Sequence, residues 1–186
     1  MSEKTEAAEV IEKTYVLRTC NVNMGAYGGF VWPKSGPVEC PDWNPRARCG
    51  NGLHGLLMGA GDSFHLSRDV DANWLVVEID AASVVDLDGK VKFPRGDVVF
   101  CGDREAAIAD ILSRGADIAS CVYSTLTGGD DSTLTGGDDS TLIFKYWDGE
   151  KERCRIMTYE VDGDQVKSGV KYRLIDRTLT EVPDKS

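Results

Sequence analysis

The sequence has no apolar run long enough to cross a bilayer. Its first dozen residues, MSEKTEAAEVIE, are polar and acidic, where a secretory leader would begin basic and turn apolar. A cytoplasmic setting is therefore expected. Basic residues are in deficit, 21 Lys and Arg against 31 Asp and Glu, for a net charge of −10. That argues against nucleic acid and anionic membrane surfaces as main partners, because both need a basic footprint. Histidine is scarce, with His54 and His65 the only two. The six cysteines (Cys20, Cys40, Cys49, Cys101, Cys121 and Cys154) are too scattered for the paired thiols of a zinc site or for a small disulfide scaffold. Reduced thiols, no metal and no other cofactor are expected. Gly52, Gly55, Gly59 and Gly61 lack the strand–turn–helix setting and following acidic residue of a dinucleotide fingerprint.

What is present divides along the chain. Residues 1–13 form a polar leader. Residues 14–115 are expected to fold as an α+β domain. Alternation at 14–18, the β-branched and aromatic run NWLVVEID at 73–80, and shorter runs at 83–87 and 98–101 predict strands. DREAAIADILSR, from Asp103, predicts a helix with an Ala107, Ile108, Ile111 and Leu112 stripe, stopped by Gly115. The segment between, Cys20 to Gly61, is rich in Gly, Pro and Asn and reads as loops bearing short strands.

From Ser124 the period changes. The octapeptide STLTGGDD occurs twice without a change, and a third copy is begun at Ser140 and abandoned. Four strand-favouring residues followed by four turn formers suit half of a sixteen-residue coil, two flat sides joined by corners. Alternation then turns Ser124, Leu126, Ser132, Leu134 and Leu142 inward, and Thr125, Thr127, Thr133 and Thr135 outward. The Gly-Gly pair is expected to supply unusual backbone angles at each corner. Asp130, Asp131, Asp138 and Asp139 are expected to be solvated; the nine-residue G-x-D unit of calcium-binding rolls is absent. Residues 116–142 thus predict a minimal β-solenoid, and 143–186 a β-rich cap for its open end. Asp162-Gly163 reads as a hairpin turn between MTYEV and VKYRLI.

The run Ser140 to Val161, STLIFKYWDGEKERCRIMTYEV, resembles the C-terminal end of bacterial ice nucleation proteins, through Leu142, Ile143, Phe144, Lys145, Trp147, Asp148 and Gly149. The octads are similar to that family's coils, and the resemblance covers about 116–176. It implies a capped solenoid, with Phe144, Trp147, Asp148 and Gly149 in the cap and Trp147 plugging its end. It also implies threonine rows facing ice or ordered water, and self-association through solenoid or cap. The family's A-G-Y-G corner is absent, and its members carry dozens of coils where this chain has about one.

Two functions follow. The first is a non-enzymatic scaffold presenting T-x-T rows to water, too short to nucleate ice strongly. The second makes residues 14–115 an enzyme or ligand-binding domain, of ADP-ribosyltransferase-like type, with a pocket at Cys49 and His54 and the solenoid as spacer or self-assembly module. A cleft with convergent polar groups at Cys49–His54 favours the second; a filled, dry core there counts against it.

Overall fold

The computed structural model describes residues 12–183, so most of the polar leader lies outside the described residues. The described chain is mostly β, with three sheets and one α-helix. The first domain is built on β1 (Lys13–Cys20), β2 (Gly36–Glu39), β3 (Leu53–Leu57), β4 (Asn73–Asp80), β5 (Val85–Asp86), β6 (Val91–Phe93) and β7 (Arg95–Gly102). These form one antiparallel sheet in the order β2-β7-β4-β1-β3-β6-β5.

β4 lies in the interior of the sheet, between β7 and β1, because it is apolar on both sides. Leu75, Val77 and Ile79 enter one core with Val16, Trp32 and Phe93; Trp74 and Val76 enter another with Leu17 and Leu56. The second core is covered by α1 (Arg104–Ser113), which buries Ala107, Ile108 and Ile111. Asp103 caps this helix by accepting from the Ala106 N–H at 2.8 Å. The strand expected over 83–87 is shortened to Val85–Asp86, because Ala81–Ser83 turns as a 3₁₀ segment under an Asp80 cap.

The remaining strands are β8 (Thr125–Gly128), β9 (Leu134–Thr135), β10 (Thr141–Asp148), β11 (Arg153–Glu160), β12 (Lys171–Ile175) and β13 (Thr178–Glu181). One sheet runs β11-β10-β8 and the other β13-β12-β9. β8 and β10 are parallel, with Thr125 beside Thr141, Leu126 beside Leu142 and Thr127 beside Ile143. The chain therefore returns to the same place after sixteen residues. Among the described residues there is no closed sheet and no solenoid: of the one expected over 116–142, only this single sixteen-residue return is present. Leu126, Leu134, Leu142 and Phe144 fill a third core with Val161, Val166 and Tyr172.

The identical octads share one corner conformation. Ser132 N–H donates to Gly129 O, and Ser140 N–H to Gly137 O, both at 3.2 Å. The left-handed residue is the second aspartate of each corner, Asp131 at φ 63° and Asp139 at φ 56°, not a glycine. Aspartate tolerates that region through its short polar side chain. The glycines serve close approach instead: a Cβ on Gly128 would lie 2.5 Å from Ser132 Cβ, and one on Gly137 would lie 2.6 Å from Ser120 O.

The hairpin expected at Asp162-Gly163 does not form. β11 pairs with β10, and β12 with β13 and β9. Asp162 instead accepts from the N–H groups of Asp164, Gln165 and Val166, closing a turn that carries the chain from one sheet to the other.

The first domain and the repeat segment share packing. Cys121 and Val122 are fully buried in the helix-covered core. Val122 N–H donates to Gly59 O at 2.9 Å. Asp139 receives Ser63 Oγ at 2.7 Å and Arg68 at 3.1 Å across the junction.

Candidate functional site

Two regions bear on function. The first is a cleft of about 780 Å³ in the first domain. It opens where β1 and β3 part: their ladder ends at Leu17 opposite Leu56, although β1 runs on to Cys20 and β3 begins at Leu53. Gly55 marks the crossing, since a Cβ there would stand 2.3 Å from Val16 Cγ1 and 2.6 Å from Leu17 O. Arg18 spans the split. Its guanidinium donates to Thr19 O on one strand at 2.8 Å and to His54 O on the other at 3.3 Å, with the Trp32 ring 4.0 Å away.

Arg18 Nε and His54 Nε2 are buried without a hydrogen-bond partner in the protein. Burial first, then the charges of Lys90, Lys92 and Arg18, push the His54 imidazole down to about 4. The ring is thus neutral near pH 7.

One wall of the cleft is the Cys49–Gly52 loop, held by Lys92, whose buried Nζ donates to Arg48 O and Gly50 O at 2.8 and 3.3 Å. Cys49 is exposed, with Lys90 Nζ 3.5 Å from its sulfur. Tyr27 stands at the rim, fully exposed, on a turn whose Gly28 and Gly29 have φ of 76° and 80°. Asp42, also in the lining, is engaged by Asn51 Nδ2 at 2.6 Å.

The second region is the outer face of the β11-β10-β8 sheet. Thr125 and Thr127 are exposed there, beside the half-buried Thr141 and Ile143. β11 continues the same rows with Glu160 opposite Thr141 and Thr158 opposite Ile143.

Residues 14–112 match the family described as Domain of unknown function (DUF7666). The chain belongs to this family. The DUF7666 domain thus comprises the seven-stranded sheet and nearly all of α1.

The chain is also 49% identical over 119 residues to an ice nucleation protein of Pseudomonas syringae pv. syringae, a match covering 63% of this chain and 10% of that protein. It is 42% identical over 112 residues to the ice nucleation protein InaU of Pantoea ananas, covering 59% of this chain and 11% of the relative. An ice nucleation protein of Xanthomonas campestris pv. translucens is 45% identical over 101 residues, 53% of this chain and 6% of that one. The chain thus spans about a tenth or less of the length of these relatives. Each match is longer than everything that follows the DUF7666 domain, so the likeness reaches into that domain and is not confined to 116–176. No solved structure matches the chain.

The structure distributes the residues singled out from sequence as follows. Cys49 and His54 line one cleft. Ser124, Leu126, Leu134 and Leu142 are buried, and Ser132 is half-buried. Ser124 Oγ donates to Cys121 O at 2.8 Å. Of the second pair of threonines, Thr133 is exposed and Thr135 is not. Arg173 donates to Thr133 Oγ1 at 3.3 Å, and Thr135 is half-buried opposite Lys171.

Phe144 is buried, edge-on to Tyr159 with centroids 6.3 Å apart. Trp147 plugs nothing: it is 56% exposed. The reason is alternation, because with Leu142 and Phe144 inside, the odd positions of β10 face out. Asp148 closes the β10–β11 turn instead, accepting from the Glu150 and Lys151 N–H groups and from Arg155, while Gly149 stands open. Among the described residues no three His, Cys, Asp or Glu side chains gather into a metal site, the turn aspartates included. Nor is any described helix long and apolar enough to cross a membrane.

Arg18 was not singled out from sequence, although a charge inside the apolar run TYVLRTC was the available signal.

Proposed function

We propose that this protein is a scaffold of the ice-nucleation type, in which a DUF7666 domain and a β cap hold one coil of a β-solenoid between them. The observation that carries the reading is the parallel register of β8 and β10 at a sixteen-residue offset. A parallel pair joined by a two-cornered loop, with leucines stacked inside and threonines outside, is the elementary step of a solenoid. The identical corner bonds of the two octads support it, and so does the likeness to proteins named for ice nucleation. In a longer array each sixteen-residue coil would add a rung to the Thr125-x-Thr127 row and present hydroxyls and methyls to water at strand spacing. The outer edge of β8 has no ladder partner among the described residues and is where such a coil, or a second copy, would add.

Size sets the activity of the chain as it stands. Two strands roughly 13 Å long and about 4.8 Å apart give a patch on the order of a hundred Å², far below an ice nucleus at mild supercooling. The test is droplet freezing of this protein against versions carrying one, two and four extra sixteen-residue coils. The parent should freeze with buffer, and the freezing temperature should climb with coil number. Freezing that stays with buffer at every length would refute the water-templating role.

A further inference from the structure

We propose that the cleft between β1 and β3 binds a small anion built on a planar ring, a ligand of the nucleotide class. The inference rests on the DUF7666 domain alone and is separate from the role of the coil.

Four features of the cleft converge. Its volume, about 780 Å³, falls within the range of small-molecule sites. It gathers positive charge in a chain whose net charge is −10: two cations, Arg18 and Lys90, line it against one carboxylate, Asp42. It carries aromatic side chains a ring could meet, Tyr27 projecting at the rim and Phe30 in the lining, the latter held edge-on to the buried Trp32 at 5.7 Å. Two buried polar atoms in its lining residues, Arg18 Nε and His54 Nε2, lack partners in the protein, and such atoms are rare without a ligand or water to satisfy them.

The chemistry of those atoms narrows the class. Arg18 Nε–H donates and needs an acceptor. His54 Nε2 also lacks a partner, and a hydroxyl, which can both donate and accept, or a ring amine or ring nitrogen would supply one. A simple inorganic anion satisfies Arg18 and Lys90 but offers nothing to Tyr27. An uncharged aromatic leaves the two cations unanswered. A nucleotide has all three parts: a ring for the aromatics, hydroxyls or amines for His54 and a phosphate for the cations. Tyr27 on its glycine-rich turn is placed to close over a ring, since φ above +70° at both Gly28 and Gly29 lets that turn fold back on itself.

Arg18 also clamps the two strands, so its loss would disturb the fold. The test therefore uses Tyr27→Ala and Lys90→Ala, whose side chains stand at the rim. The full-length protein is titrated calorimetrically with AMP, GMP and NAD⁺, and separately with adenosine and with inorganic phosphate. At least one nucleotide should bind, with adenosine and phosphate each weaker by about tenfold or more. Tyr27→Ala should weaken nucleotide and adenosine roughly fivefold or more without affecting phosphate, and Lys90→Ala should weaken nucleotide and phosphate but not adenosine. Neither variant should move the melting temperature of the unliganded protein. No binding of any of the three nucleotides at millimolar concentration would overturn the proposal. So would adenosine or phosphate alone binding as tightly as the nucleotide, or both variants binding it like the parent.

Discussion

His54 shows what a single environment does to a side chain. Its imidazole sits at about 4, against an ordinary value of 6.5, because it is buried among Lys90, Lys92 and Arg18. Between those two values the unfolded chain takes up a proton that the folded chain refuses, so folding stability falls as pH drops from about 6.5 to about 4 and the effect is complete below that. His54→Gln should remove this slope. Urea midpoints at pH 7 and pH 4.5 should show the parent losing about 1–2 kcal/mol more than the variant, allowing for solvent contact of a half-buried ring. Equal losses would mean that His54 is protonated normally in the fold. Sequence alone singled out His54, with Cys49, as a pocket candidate. It could not show that Arg18 would bridge two parting strands above Trp32, because that depends on where the β1–β3 ladder stops.

At the scale of the element, the repeat offers a controlled comparison, since Gly129 and Gly137 occupy the same place in identical octads. A Cβ on Gly129 meets nothing within 4 Å, whereas one on Gly137 meets the backbone oxygens of Ser120 and Cys121 at 2.6 and 2.9 Å. Gly137→Ala should destabilise the protein by about 1–3 kcal/mol, as overpacking against backbone does. Gly129→Ala should change stability by less than about 0.5 kcal/mol. Thermal or urea unfolding checks both, and equal effects would mean that the coil does not dock on the first domain as described. Elements with strong local patterns were legible from sequence: NWLVVEID is β4 at the expected residues, and α1 starts after the predicted Asp103 cap. Partner choice was not. Asp-Gly at 162–163 signals a turn, but nothing local decides whether the following strand returns to β11 or crosses to the other sheet. The left-handed second aspartate of each corner was likewise masked by the adjacent Gly-Gly, which drew the expectation of unusual angles to itself.

At the scale of the whole molecule, the seven-stranded DUF7666 sheet is followed by two three-stranded sheets, β11-β10-β8 and β13-β12-β9. The extent of the family likeness was under-read at this scale. Repeats and the W-D-G cap are conspicuous in a sequence, whereas a non-repetitive domain of scattered short strands carries no such signature. What joins the parts is the sixteen-residue return of the chain from β8 to β10, and the scaffold reading stands on it. It is tested most directly by inserting one octad, two octads or four octads of STLTGGDD after Asp139 and measuring amide hydrogen exchange together with urea unfolding. Insertions of two and four octads keep β10 facing the correct flank. They should leave one cooperative transition and slow exchange at the Thr141 amide, which bonds to Ser124 O in the parent and to its octad equivalent in the longer chains. A single octad would place β10 on the opposite flank, against the β12 side, and should destabilise the cap. If one octad is tolerated as well as two, residues 124–142 are a permissive loop and the coil account is wrong.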